Sequence, residues 1–425
     1  MKNLFLITAA LVIAAISGGC SAGPEESVTA AASNPVAAAP DADISKALAA
    51  IEKRPDVPDG YSQLAIIYIK RARANGDFSL NSKADQAIDK ALEVKPADPT
   101  ARKLKAALHL TFHRFGEALT LGRELQTEYP NDDFVYGILT DANVELGNYP
   151  EAIDAAQKMI DLKPSAASYA RVGHLRSLSG DHPGAVEMMR LAAKITDPQD
   201  KEAQSWGLVR LGDEYWKNGN YAQSESSYDE ALTNLPNYHL ALAGKGKVLS
   251  AKGDFTGAAK FLSDARDRVP NPETIILLGD VYTRLNESEK AKQQYDLVEV
   301  VEKQFGMDGD RGRLALFWAD RNEKLDEALA IAEGEYTARK DIYTTDIYAW
   351  CLYRKGRLEE AKKIIGQAMR LNTDDARILY HAGMIEKDSG NPAGAAKLFG
   401  KALELNPAFD LIQTENARLT SINSK

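Results

Sequence analysis

Apolar and polar positions alternate with a helical period along residues 205–236, SWGLVRLGDEYWKNGNYAQSESSYDEALTNLP. Leu208, Leu211, Gly212 and Tyr215 fall on one stripe, and Ser224, Tyr228, Ala231 and Leu232 on a second. Asn218-Gly219-Asn220 separates the stripes, and Pro236 closes the stretch because proline cannot continue a helix interior. The pattern predicts two amphipathic helices joined by a tight turn, and it recurs. Closing prolines stand at Pro96, Pro130, Pro164 and Pro198, each 34 residues apart. Pro236 follows 38 residues later, which places about four inserted residues around Gln199 to Gln204, and Pro270 comes after a further 34. Thr373 takes the proline's place in a ninth unit and Pro407 closes a tenth. The 103 residues from Pro270 to Thr373 hold three units plus one residue.

Small residues recur in register with the prolines. Ala106, Gly173, Gly212, Gly246, Gly279, Ala349 and Gly383 lie in first helices; Ala118, Ala152, Ala185, Ala258, Ala291, Ala361 and Ala395 lie in second helices. Without bulk at these points two helices can approach closely. Gly147, Gly180, Gly219, Gly253, Gly356 and Gly390 fall in the turns, where positive φ after a helix suits glycine. The first full unit, about 58–96, carries an insertion near Asn75 to Lys83. The unit at about 309–340 is the most degenerate. Its second helix is placed through Ala328, and a kink or longer loop is expected at Phe305–Gly312. An amphipathic segment from about Asp43, with Ile44, Leu48 and Ile51 on one stripe, reads as the second helix of a truncated leading repeat.

The pattern resembles the tetratricopeptide repeat, W-x2-L-G-x2-Y, then A-x3-F, then P, over 34 residues. Leu211, Gly212, Tyr215, Tyr228, Ala231 and Pro236 match it; Leu208 replaces the first Trp and Ser224 the second-helix Ala. The resemblance implies an all-α, right-handed superhelical solenoid of about ten helix-turn-helix repeats over residues 42–407. A solenoid also explains how 425 residues avoid needing one large core, because each repeat buries its face against its neighbours. Residues 408–425, with Leu411, Ile412 and Leu419, read as a capping helix and tail.

Charge and cysteines narrow the function. The net charge of −9 argues against a nucleic-acid binder, which needs a basic patch. The two cysteines, Cys20 and Cys351, form no disulfide framework. Residues 1–19 read as a secretory signal: Lys2 precedes an apolar run from Leu4 to Ile16, and small residues follow. The ending Gly18-Gly19-Cys20 resembles a bacterial lipobox, although Ser17 stands where the family prefers Leu. The resemblance implies that Cys20 is lipidated and that, with Ser21 after it, the protein goes to the periplasmic face of the outer membrane. Residues 20–41 contain small residues, Pro and a few acids, and read as a disordered tether.

No catalytic or metal-binding constellation emerges, and no cofactor is expected. His109 and His113 sit four apart, but Leu110 replaces the Glu of a zincin and no third ligand is evident. Asp308-Gly309-Asp310 fails as a calcium loop at the positions that follow, and Gly244-Lys245-Gly246 fails as a phosphate loop. Cys351 reads as a packed thiol.

The remaining candidate is the concave groove. In the family, first helices line it through repeat positions 2, 5, 9, 12 and 13. Carried over, those positions give Lys103, Leu110, Phe134, Asp141 and Glu145 in the N-terminal units, and also Asp213, Lys247 and Arg313. The binding candidates are Trp206, Trp216, Lys217, Arg284, Phe317, Arg321, Tyr343, Trp350, Tyr353, Arg354, Arg377 and Tyr380. Aromatic residues with Arg are the mix found at interface hot spots. The chaperone-binding carboxylate clamp is absent. The expected function is a non-enzymatic scaffold that binds a peptide segment or partner protein within an envelope assembly or export machine. The alternative is a periplasmic polysaccharide-binding protein, with groove aromatics stacking on sugar rings.

Overall fold

The computed structural model describes residues 42–305 and 311–422. The signal, Cys20, the tether and the irregular stretch 306–310 lie outside the described residues. Within them the chain is all helical. It begins with α1 (Ala42–Lys53) and continues as ten helix pairs. Units one to five are α2 (Pro58–Asn75) with α3 (Ser79–Val94), α4 (Pro99–Thr111) with α5 (Phe115–Glu128), α6 (Asp133–Glu145) with α7 (Tyr149–Leu162), α8 (Ala166–Leu178) with α9 (His182–Ile195), and α10 (Lys201–Lys217) with α11 (Tyr221–Asn234). Units six to ten are α12 (His239–Ala251) with α13 (Phe255–Arg268), α14 (Pro272–Arg284) with α15 (Ser288–Phe305), α16 (Gly312–Arg321) with α17 (Leu325–Ala338), α18 (Ile342–Arg354) with α19 (Leu358–Ala368), and α20 (Ala376–Asp388) with α21 (Pro392–Leu405). α22 (Gln413–Ile422) packs on α21.

Local chemistry starts and stops these helices where the period requires. Asp98 caps α4 by accepting from the Thr100 and Ala101 amides, with Pro99 in the first turn. Asp132, Asp254, Asp341 and Asp375 cap later helices in the same way. Small residues set the pair spacing: a Cβ on Gly279 would lie 2.3 Å from the Tyr295 ring of the partner helix.

The array closes on itself. The turn inside each of several units sits against the closing junction of the unit five further on. In unit three, the Ile342 amide donates to the Tyr149 hydroxyl at 2.8 Å, and Arg339 reaches Glu145 at 3.1 Å. In unit four, Thr373 Oγ1 donates to the Leu178 carbonyl, and His182 Nε2 donates to the Asp374 carbonyl at 3.0 Å. In unit five, the Tyr221 hydroxyl donates to Asn406 Oδ1 at 2.6 Å, and Asn406 Nδ2 donates to the Trp216 carbonyl at 2.8 Å. In unit one, Gly76 packs against Val269. The largest apolar cluster follows the same seam, joining Tyr149 and Leu178 to Ile342, Trp350 and Phe399.

Two irregularities of the period are explained by this closure. Thr373 stands where seven of the other nine units carry proline, and its hydroxyl supplies a hydrogen bond that proline could not. The inserted residues around Gln199 to Gln204 include Asp200 and Glu202, which pair with Lys70 and Arg73 of unit one.

The sequence frame of unit eight is corrected by one residue. Asn322, at φ 59°, holds the place of Gly219, Gly253 and Asn286 in units five to seven. Ala315 is therefore the counterpart of Gly212, Gly246 and Gly279, and it is fully buried. Lys324, at φ 42°, is a further left-handed residue in that turn.

Candidate functional site

Closure of the array turns the concave groove into a lumen. It contains a cavity of about 570 Å³ lined mainly by the first helices of units three to ten and by residues 405–413. Successive first helices are tied across the lumen wall by polar contacts. Arg171 of α8 holds Asp141 of α6 with two hydrogen bonds, at 2.8 and 2.6 Å. Lys247 of α12 lies 3.8 Å from Asp213 of α10, and Arg313 of α16 lies 2.9 Å from Glu273 of α14. Arg321 pairs with Asp280 at 2.5 Å. His381 Nδ1 lies 3.0 Å from both carboxylate oxygens of Asp346, with both side chains buried.

These walls are strongly desolvated. Burial pushes Asp280 up to about 7 despite Arg321, and the Tyr295 hydroxyl donates to it at 2.8 Å. Burial likewise raises Asp320 to about 6, where it accepts from Trp350 Nε1 at 2.9 Å and Gln413 Nε2 at 2.7 Å. Burial raises the Cys351 thiol to about 12, so it is a packing group and not a nucleophile at neutral pH.

The structure places ten of the twelve candidate groove residues on the cavity lining. Trp206 lies under Arg210, 5.7 Å from the ring centroid, and Trp216 under Lys247 at 4.4 Å. Lys217 binds Glu214 at 2.9 Å and Ser177 at 3.2 Å. Tyr343 is 37% exposed and Arg377 is exposed, both facing the lumen. Arg354 lies 5.5 Å from the Trp350 ring centroid. Phe317, Trp350 and Tyr380 touch the cavity only as buried packing, at 4%, 1% and 2% exposure. Trp350 stacks on His381 at 4.1 Å and on Tyr353 at 5.0 Å. Phe317 is buried because of the one-residue frame correction, which puts Leu316 at the groove position. Arg284 and Tyr353 are off the cavity: Arg284 pairs with Glu415 at 3.4 Å, and the Tyr353 hydroxyl donates to Asp388 at 2.6 Å.

The tetratricopeptide repeat family model matches residues 69–133, 209–271 and 348–409. Over those three segments the chain carries tetratricopeptide repeats. Among solved structures, it is similar to a tetratricopeptide repeat protein from Parabacteroides merdae ATCC 43184, at 19% identity and a TM-score of 0.34, over 60% of this chain and 98% of that one. It is also similar to PilW, a widely conserved type IV pilus biogenesis factor, at 14% identity and a TM-score of 0.41, over 48% of this chain and 92% of that one. No curated protein matches it.

Within this helical array the rejected motifs have structural roles. His109 pairs with Glu117 at 3.0 Å, and His113 occupies a left-handed turn position at φ 55°. Lys245, within α12, pairs with Asp229 at 2.7 Å and Glu225 at 2.9 Å. Asp308-Gly309-Asp310 lies outside the described residues. Among the described residues, no three His, Cys, Asp or Glu side chains are arranged to hold a metal. Sequence reasoning missed Arg171, Asp280, Asp320 and residues 405–413 as lumen residues. The acid-to-cation spacings of 30 to 41 residues, near one repeat length, were the signal available for the first two. Beyond Pro407 the last stretch carries no periodic signal.

Proposed function

We propose that the chain is a non-enzymatic scaffold that holds a segment of a partner protein in its lumen. It would be tethered through a lipid on Cys20 at the periplasmic face of the outer membrane, within an envelope assembly or export machine. Tetratricopeptide repeats mediate protein–protein interaction, which supports the scaffold part. The observation that carries the lumen part is the state of its cations. Arg171, Arg210, Lys217, Lys247, Arg313, Arg321 and Arg339 are in ion pairs, whereas Arg354 and Arg377 have no ion-pair partner among the described residues. Two guanidinium groups on the same lining as the exposed Tyr343 suit a segment bearing a carboxylate and an apolar or aromatic side chain. A glycan is less well served, because sugar stacking needs bare ring faces. Lys247 and Arg210 lie over Trp216 and Trp206, and Trp350 is stacked on His381 and Tyr353.

No helix among the described residues is long and apolar enough to cross a membrane, so attachment in this reading depends on Cys20. The test uses the full chain in a Gram-negative host, with partner capture from envelope extracts. Cys20→Ser should move the protein to the soluble periplasm. Trp216→Ala, Arg354→Ala and Arg377→Ala combined should keep wild-type helicity and lose the partner, at about 1–3 kcal/mol for each anchor. If the triple variant recovers the same partner as wild type, the lumen is not the binding surface. An unmodified mature N-terminus elsewhere than Cys20 would remove the lipid anchor.

A further inference from the structure

The C-terminal segment does more than cover the last repeat. Covering unit ten requires only contacts to unit ten, and Phe409 and Ala417 provide them in the apolar cluster that contains Tyr380 and Phe399. Residues between and beside these two reach a different part of the solenoid. Leu411 packs against the apolar cluster of units six and seven, which Leu249 of α12, Phe255 of α13 and Leu277 of α14 also flank. Gln413 Nε2 donates to Asp320 of α16 at 2.7 Å. Glu415 pairs with Arg284 of α14 at 3.4 Å. The negative charge of Asp410 acts on Arg377 of α20 without an ion pair between them, and Asp410 Oδ1 accepts from the Ile412 and Gln413 amides, each at 2.8 Å.

These contacts are those of a bound peptide: one leucine anchor, one amide hydrogen bond, and acids placed against arginines. The seat is also imperfect. Ile412 remains 45% exposed, and Gln413 Oε1 is buried without a hydrogen-bond partner. The contacts explain Arg284, a candidate binding residue that does not line the cavity.

We propose that the concave surface of α12, α14 and α16 is a docking surface for a partner peptide with the chemistry of the chain's own tail. That chemistry is an acidic residue followed by leucine, with a second acid about one helical turn further on. Residues 410–415 occupy the surface until a partner displaces them. The inference rests on the reading of the concave side as the partner's site, and it names the kind of partner. Displacement requires only that the Leu411, Gln413 and Glu415 contacts be exchanged for equivalent ones, while Phe409 and Ala417 keep unit ten covered.

The test uses a fluorescently labelled synthetic peptide of residues 405–422 and anisotropy titration against the full chain. Leu411→Lys combined with Glu415→Lys unseats the tail and leaves Phe409 and Ala417 in place. The peptide should bind this variant at least about tenfold more tightly than wild type, because no competing segment must leave first. Adding Arg284→Glu to the unseated variant should remove that gain. Circular dichroism checks folding of each variant. Gln413→Ala is a milder release that should shift affinity in the same direction if the double variant does not fold. Equal binding to wild type and released variants, or binding to neither, overturns the proposal. If that happens while the Trp216, Arg354 and Arg377 triple variant still loses its partner, the lumen reading stands and only the tail is excluded from it.

Discussion

Gly147→Ala will lower stability far more than Gly356→Ala, although the two glycines occupy equivalent turns. Both have left-handed backbones, at φ 77° and 76°. An alanine in that conformation costs about 1–2 kcal/mol at either site. At Gly356 nothing lies within 4 Å of the added Cβ, so that cost is the whole effect. At Gly147 the Cβ would sit 2.4 Å from the Lys340 carbonyl oxygen and 2.7 Å from Arg370 Nη2. Backbone one superhelical turn away must then move, and the seam carrying the Tyr149–Ile342 hydrogen bond opens. Overpacking of this kind adds about 1–3 kcal/mol. Denaturant titration of the two variants should therefore separate them by about that amount. Equal losses would mean that the turns of the solenoid do not touch.

The second large effect is at Trp350. It is 1% exposed, stacks on His381 and Tyr353, and donates from Nε1 to Asp320 at 2.9 Å. Trp350→Ala should cost about 3–5 kcal/mol, by loss of buried contact and creation of a cavity. The pattern of the loss is more informative than its size. In an open solenoid each repeat contacts only its neighbours, so damage in unit nine would spread to units eight and ten. Here unit nine is also bonded to units three and four, through Ile342 to Tyr149 and Thr373 to Leu178. Hydrogen exchange of Trp350→Ala should show lowered protection in α6 to α9 as well as in α18 to α21. Loss confined to units eight to ten would contradict a closed array.

The repeat period was legible because it rests on local chemistry. Gly212, Gly246 and Gly279 must be small where paired helices touch, and Asp98 or Asp341 must cap where a unit begins. The frame of unit eight was misplaced because Asn322 and Lys324, not glycine, hold its left-handed turn. That shift moved Phe317 from a presumed groove position into the core. Trp350 and Tyr380 showed the ambiguity of aromatic residues on a first helix, which serve the lumen and the inter-repeat core alike. Closure of the array was not legible. Its hydrogen bonds join residues 185 to 195 positions apart, and a turn glycine under another turn looks in sequence like one facing solvent. Thr373 in place of a proline was one mark of the seam, and nothing in the period points to Leu411 reaching units six and seven.

The contact between successive turns can be tested directly by zero-length coupling. Lys70 Nζ of unit one lies 3.2 Å from Asp200 Oδ2 at the start of unit five, and Lys70 is about half exposed. Carbodiimide treatment of the monomeric protein, followed by mass spectrometry, should yield a Lys70–Asp200 isopeptide across 130 residues of sequence. If Lys70 instead couples only to acids of its own and the adjoining unit, or to Asp200 only in dimers, the solenoid is open and the lumen described here does not exist.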